Sequence, residues 1–152
     1  MKIAITGHTA RLGKDFSVEL QRRGHTVTGF SRSNGYDLRD YSCVGKMLDE
    51  IKDYDVFINN AKPDYSQTQI LYRLVQQWDT GLIINIGTKA LESMPDWTDI
   101  FLLEYLTQKT ALAHACRVLL NISKCKIILL NPAHLDNSCA EYVKEQLDLL
   151  NL

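Results

Sequence analysis

The chain has 152 residues, a formal net charge of −1, 45% hydrophobic and 23% charged residues. That balance suits one folded domain over residues 1–152 and excludes a disordered chain. The near-neutral charge argues against binding to nucleic acid or an anionic membrane by charge alone.

No apolar run approaches the ~18 residues of a membrane helix. The first residues, Met1 to Thr6, run into glycine-containing sequence too soon for a signal peptide. Cys43, Cys116, Cys125 and Cys139 form no C-x-x-C pair, so a reducing, cytoplasmic setting is expected. His8, His25, His114 and His134 lack metal-ligand spacing, and no metal is expected.

In chain order, Ile3 to Thr6 reads as a strand that ends in Gly7-His8-Thr9-Ala10-Arg11-Leu12-Gly13. Leu12, Phe16 and Leu20 follow at helical spacing, with Gly24 as a stop. His25 to Phe30 predicts a second strand. Ser31 to Asp40 is polar and reads as a loop with room for a strand stub at Tyr36–Leu38. Val44, Met47, Leu48 and Ile51 mark a second helix, and Asp55 to Asn59 a third strand. Ile70, Leu71, Leu74, Val75 and Trp78 form a third helix face, ended by Gly81. Leu82 to Ile86 is a fourth strand. Capping residues at Asp96 to Asp99 open a long helix to Leu120. Lys126 to Leu130 is a fifth strand, stopped by Asn131-Pro132. Asp136, Asn137 or Ser138 is expected to cap a last helix with Val143, Leu147 and Leu150 on its apolar face.

Strands alternating with helices imply crossovers and a parallel sheet. Short, continuous apolar strands imply that both sheet faces are covered. The expected fold is a three-layer α/β domain.

Gly7 and Gly13 sit where the first strand meets the first helix. A helix N-terminus offers free N–H groups and the positive end of its dipole, and glycine lets the backbone approach a phosphate closely. A plain strand–helix turn can also carry two glycines. The wider pattern is more informative. Thr6 to Gly13 resembles the T-G-x-x-x-G-x-G loop of the short-chain dehydrogenase/reductase family, with Arg11 in place of the middle glycine, as in its pteridine-reductase-like branch. Asp37-Leu38 resembles the adenine-contacting pair. Asn59-Asn60-Ala61 resembles N-N-A-G, with Lys62 where glycine is usual. Asn85-Ile86-Gly87-Thr88 resembles N-x-S-S, Tyr105 to Lys109 is Y-x-x-x-K, and Asn131-Pro132-Ala133 resembles N-x-P-G. Y-x-x-x-K alone is a weak signal; the ordered set is specific.

The resemblance implies a Rossmann-like doubly wound parallel sheet. Its strand order is 3-2-1-4-5-6, with strand 3 short or absent and no strand 7. It also implies a nicotinamide cofactor held by Gly7, Thr9, Arg11, Leu12, Gly13, Ser31, Arg32, Ser33, Asp37, Leu38, Asn60, Ala61, Lys109 and Pro132. The second strand ends in Phe30-Ser31-Arg32-Ser33 with no acid to hold a ribose 2′-hydroxyl, so NADP(H) is expected over NAD(H).

Tyrosine is a weak proton-transfer group at neutral pH unless a cation favours the phenolate. Lys109 lies one helical turn from Tyr105, on the same face. By resemblance, Tyr105 is the general acid/base, Lys109 tunes it, and Thr88 supplies the hydroxyl that orients the substrate oxygen. His8 is at most a cofactor neighbour and His134 a substrate or cofactor neighbour, His114 is a surface or packing residue, and Asn59-Asn60 supports a strand end.

Family members commonly run to about 250 residues. Few residues follow Pro132 here, so the usual substrate-binding elements have no room. No asparagine between Ala61 and Gly81 fills the family's fourth catalytic place. The expected function is NADP(H)-dependent carbonyl reduction or alcohol oxidation on a small molecule. The alternative is a non-catalytic NADP-binding or regulatory module. The surplus apolar residues of the Asp99–Leu120 helix, with the Ser66–Trp78 helix, predict a homodimer or homotetramer.

Overall fold

The computed structural model describes residues 1–92, 99–133 and 139–152. Five apolar runs form the strands β1 (Lys2–Thr6), β2 (Thr26–Phe30), β3 (Val56–Asn59), β4 (Leu82–Ile86) and β5 (Lys126–Leu130). The helices are α1 (Arg11–Arg22), α2 (Tyr41–Glu50), α3 (Ser66–Gln77), α4 (Ile100–Leu119) and α5 (Ala140–Leu150). Single 3-10 turns cover Arg32–Asn34 and Lys89–Leu91.

Each strand is connected to the next through a helix, so the strands pair in parallel, in the order β2-β1-β3-β4-β5. The expected α/β class and Rossmann-like sheet hold. Of the six strands in the expected order, the third is absent. Tyr36–Leu38 forms no strand, and β2 is left as the sheet edge. Tyr36 stacks edge-on against Phe30 with ring centroids 4.8 Å apart, and Leu38 is buried in the core. These two residues pack over the end of β2, so of the two expected outcomes, a short third strand or none, the structure has none.

The period-2 alternation of each strand feeds two cores. Ile3, Ile5, Val56, Ile58, Ile84 and Ile86 point to the layer of α1 and α5. Ala4, Phe57 and Ile83 point to the layer of α2, α3 and α4. The chain leaves β1 in opposite directions toward β2 and β3. The carboxyl ends of β1 and β3 therefore flank a switch point, where open α/β sheets bind ligands.

Asp40 caps α2 by accepting N–H bonds from Ser42 at 2.7 Å and Cys43 at 3.4 Å. Asp99 caps α4 through Leu102 N at 2.7 Å; Asp96 lies outside the described residues. The cap of α5 differs from expectation. Cys139 holds the N-cap position, and its N–H is taken by the Asp15 carboxylate of α1 at 3.1 Å. Asp136, Asn137 and Ser138 lie outside the described residues. Among the described residues no helix is long and apolar enough to cross a membrane.

Candidate functional site

The loop after β1 is fixed from three sides. Gly7 turns the chain at φ +70°, a region that disfavours a side chain, and its N–H bonds Phe30 O at 2.8 Å. A Cβ at Gly13 would lie 2.2 Å from Gly7 O and 2.6 Å from Asn60 Nδ2, so α1 closes on the loop only because residue 13 is glycine. The Asn60 amide donates to Thr6 O at 2.9 Å and Gly7 O at 3.3 Å. The buried Thr6 hydroxyl accepts the N–H groups of Asn60 and Ala61, each at 3.0 Å. The ends of β1 and β3 are thus stitched together, and the first turn of α1 carries no side-chain cap.

Beside this loop lies a cavity of about 510 Å³, in the size range of small-molecule sites. Eight residues of the expected cofactor set line it: Gly7, Thr9, Ser31, Arg32, Ser33, Asp37, Leu38 and Ala61. The Ser31 and Ser33 hydroxyls bond each other at 2.7 Å, and Arg32 is exposed with no carboxylate partner among the described residues. Arg39 and Lys62 also line it and were missed from sequence; Arg39 is paired with Asp64 at 2.9 Å.

Other expected contacts fall outside the lining. Arg11, at φ +47°, is exposed, and its charge acts on the Cys139 thiol beside α5. Arg32 lines the cavity and Arg11 does not. Leu12 is in the core under α1, and Gly13 and Asn60 shape the loop from behind. The Pro132 carbonyl accepts the Lys89 N–H at 3.0 Å, holding the turn after β4. His8 packs its ring over Gly29, and His114 is exposed beside Arg117. His134 lies outside the described residues.

A second cluster forms where α4 crosses the ends of β3 and β4. Lys109 is 3% exposed. Its ammonium donates to Gln67 Oε1 at 2.8 Å and to the Ile86 carbonyl. Gln67, on the first turn of α3, donates in turn to Asn59 O at 2.6 Å and Ile86 O at 3.2 Å. Asn59 Nδ2 continues the chain to Asn85 Oδ1 at 2.9 Å. Burial, reinforced by the charge of Lys62, lowers the Lys109 pKa to about 8. The sequence offered no partner for Lys109 in the segment after Ala61, and the structure shows that Gln67 is one. Its signal was a polar residue one turn before Ile70 and Leu71, on a buried face.

Tyr105 stands over this cluster. The Lys109 ammonium is 5.8 Å from its ring centroid, and the Lys62 ammonium lies over the same ring at 4.4 Å. The Tyr105 hydroxyl has no hydrogen-bond partner among the described residues. Thr88 is buried, and its Oγ1 accepts the Ala90 N–H at 3.3 Å, leaving its own hydrogen free to donate. The Lys89–Leu91 turn that follows Thr88 packs against α4.

No family model matches the chain, and no curated protein matches it by sequence. Solved structures do match in shape. The 3-alpha-hydroxysteroid dehydrogenase from Pseudomonas sp. B-0831, complexed with NADH, superimposes with a TM-score of 0.75 at 17% identity, over 99% of this chain and 88% of that one. A short chain dehydrogenase from Burkholderia cenocepacia J2315 in complex with NADP gives 0.74 at 18%, over 99% and 84%. The alcohol dehydrogenase from Thermococcus sibiricus, complexed with 5-hydroxy-NADP, gives 0.71 at 15%, over 100% and 91%. At these identities the likeness establishes the fold: the chain has the Rossmann-like architecture of solved short-chain dehydrogenases.

Proposed function

We propose that the chain is an NADP(H)-dependent oxidoreductase of short-chain dehydrogenase type, acting on a small carbonyl or alcohol. One observation carries the reading. The cavity that begins at Gly7 and Arg32 extends to Lys62, whose ammonium lies on the ring of Tyr105, with the buried Lys109 beside it. The residues present fit the cofactor. Gly7 and Thr9 meet a pyrophosphate at the start of α1, and Asp37, Leu38 and Ala61 border the adenosine. Arg32, with Ser31 and Ser33, supplies a cation and hydroxyls for a 2′-phosphate where an acid would have selected NAD. Arg32, which lines the cavity, is the residue assigned to this discrimination.

When bound, the nicotinamide supplies or accepts a hydride. The protein's own part is proton management. In the reducing direction the Tyr105 hydroxyl donates its proton to the carbonyl oxygen, and Thr88 donates a second hydrogen bond to that oxygen. The Lys109 ammonium, fixed by Gln67 and Ile86 O, stabilises the phenolate left behind. Its third hydrogen is free for the cofactor ribose. The test is NADPH oxidation with a panel of ketones, aldehydes and pterins. Turnover that disappears in Tyr105→Phe supports the reading. Absence of turnover across the panel, with NADPH still bound, favours a non-catalytic NADP-binding module.

The same reading includes a homodimer or homotetramer built on α3 and α4. Ile100 and Phe101 are 71% and 78% exposed, and Leu103 and Tyr72 are also exposed. A two-fold interface would cover them. Light scattering at micromolar concentration should give a multiple of the 17.3 kDa chain mass; the monomer mass would refute it.

A further inference from the structure

We propose that Lys62 is an anion-binding residue at the reacting end of the site, selecting a carbonyl or alcohol substrate that carries a carboxylate or phosphate group. The inference rests on the oxidoreductase reading above and names the substrate class for it.

Three observations lead here. First, Lys62 joins two regions: it lines the cavity, and its ammonium lies over the Tyr105 ring at 4.4 Å. A ligand atom that accepts a hydrogen bond from Tyr105 therefore has this cation close by. Second, the positive charge there is not neutralised. The buried Lys109 ammonium is 5.8 Å from the same ring, and its acceptors, Gln67 Oε1 and Ile86 O, are uncharged. Among the described residues no carboxylate pairs with either lysine. The nearby acid Asp64 is committed to Arg39 at 2.9 Å. The two ammoniums oppose each other's charge, and Lys62 helps to lower the Lys109 pKa. Third, the cofactor's phosphates have other donors: the uncapped first turn of α1 beside Gly7 for the diphosphate, and Arg32 for a 2′-phosphate. Lys62 leans instead onto Tyr105.

A neutral ligand leaves the Lys62 charge at the cavity unpaired, with the buried Lys109 ammonium behind the same ring. A substrate with an anionic group near its carbonyl offsets both positive charges and gains a charge-assisted contact with the exposed Lys62 ammonium.

The experiment reads binding, so it does not depend on turnover. Calorimetry on the NADP⁺ complex would compare phenylglyoxylate and levulinate, each beside its methyl ester. These are a 2-oxo and a 4-oxo acid, which sample two spacings between carbonyl and carboxylate. The expected result is that at least one acid binds tenfold or more tightly than its ester. That preference should collapse toward one in Lys62→Gln and survive in Lys62→Arg. Equal affinity of acids and esters in the wild type, or an acid preference that persists in Lys62→Gln, overturns the proposal. A separate arm titrates NADPH into wild type and Lys62→Gln. A cofactor affinity that falls tenfold or more in the variant assigns Lys62 to the cofactor's phosphates and also overturns it. Failure of the broader reading looks different: NADPH does not bind the wild type, or a bound oxo acid is never reduced.

Discussion

The two halves of the site are built in opposite ways. The cavity half is a local construction. Gly7, Ser31, Arg32 and Asp37 belong to the loops that follow β1 and β2, and their polar groups face open space. The half around Tyr105 is assembled at long range. Lys109 from α4, Gln67 from α3 and the ends of β3 and β4 share one buried hydrogen-bonded network. In the first half an exposed side chain such as Arg32 can change without disturbing the fold. In the second, binding and stability are coupled, because Lys109, Gln67, Asn59 and Asn85 are buried and hydrogen-bonded to one another.

Substitutions can break this contrast. The largest expected effect is on rate: Tyr105→Phe should lower turnover by about 10²–10⁴-fold, measured as NADPH oxidation, with the melting curve little changed. Gln67→Leu should be costly in a different way. It strips an acceptor from the Lys109 ammonium and a donor from the carbonyls of Asn59 and Ile86. The Lys109 ammonium keeps only the Ile86 carbonyl, and a buried group left without its partner costs about 1–3 kcal/mol, so urea denaturation should show a clear loss of stability as well as of activity. Gly13→Ala, with its Cβ 2.2 Å from Gly7 O, should cost about 1–3 kcal/mol or more by overpacking, and should weaken cofactor binding with it. Arg32→Ala should leave stability within about 0.5 kcal/mol, while NADPH affinity falls by about 1.5–3 kcal/mol. A large stability loss in Arg32→Ala, or none in Gln67→Leu, would erase the distinction between the halves.

The smallest effect is a pH shift, and it sharpens the same contrast. Lys109 is pushed down from 10.5 to about 8 by burial and by Lys62. If its ammonium is the working form, the rate falls as pH rises through about 8. The unfolded chain holds this proton more tightly than the folded one, so the group makes stability rise between about pH 8 and 10.5. Gln67→Glu places a carboxylate against the ammonium and should move the alkaline limb of the rate profile upward. A limb that stays put in this variant would show that Lys109 does not set it.

The same division explains what could be read from the sequence. Strand and helix positions followed from the apolar period, because both sheet faces are covered and most inward positions are apolar, Thr6, Asn59 and Asn85 at the strand ends apart. The glycine loop was legible because its chemistry lies within eight consecutive residues, Thr6 to Gly13. Gln67 was not, because it meets Lys109 across 42 positions of sequence and nothing local marks the pair. Lys62 was visible only as a departure from a glycine; its place over Tyr105 depends on how α3 and α4 pack. Tyr36–Leu38 alternates like a strand, but Tyr36 stacks on Phe30 and Leu38 enters the core, and the segment forms no strand. Arg11 sits in the same loop but does not line the cavity, and its left-handed backbone is not something residue spacing announces.

The central claim is that the cavity between Gly7 and Lys62 holds a nicotinamide dinucleotide, with Arg32 choosing the phosphorylated form. Calorimetric titration of the wild-type chain with NADPH and with NADH tests it most directly. The account predicts saturable binding of both, with NADPH tighter and its advantage lost in Arg32→Ala. No binding of either dinucleotide, or equal affinity for the two, would contradict it.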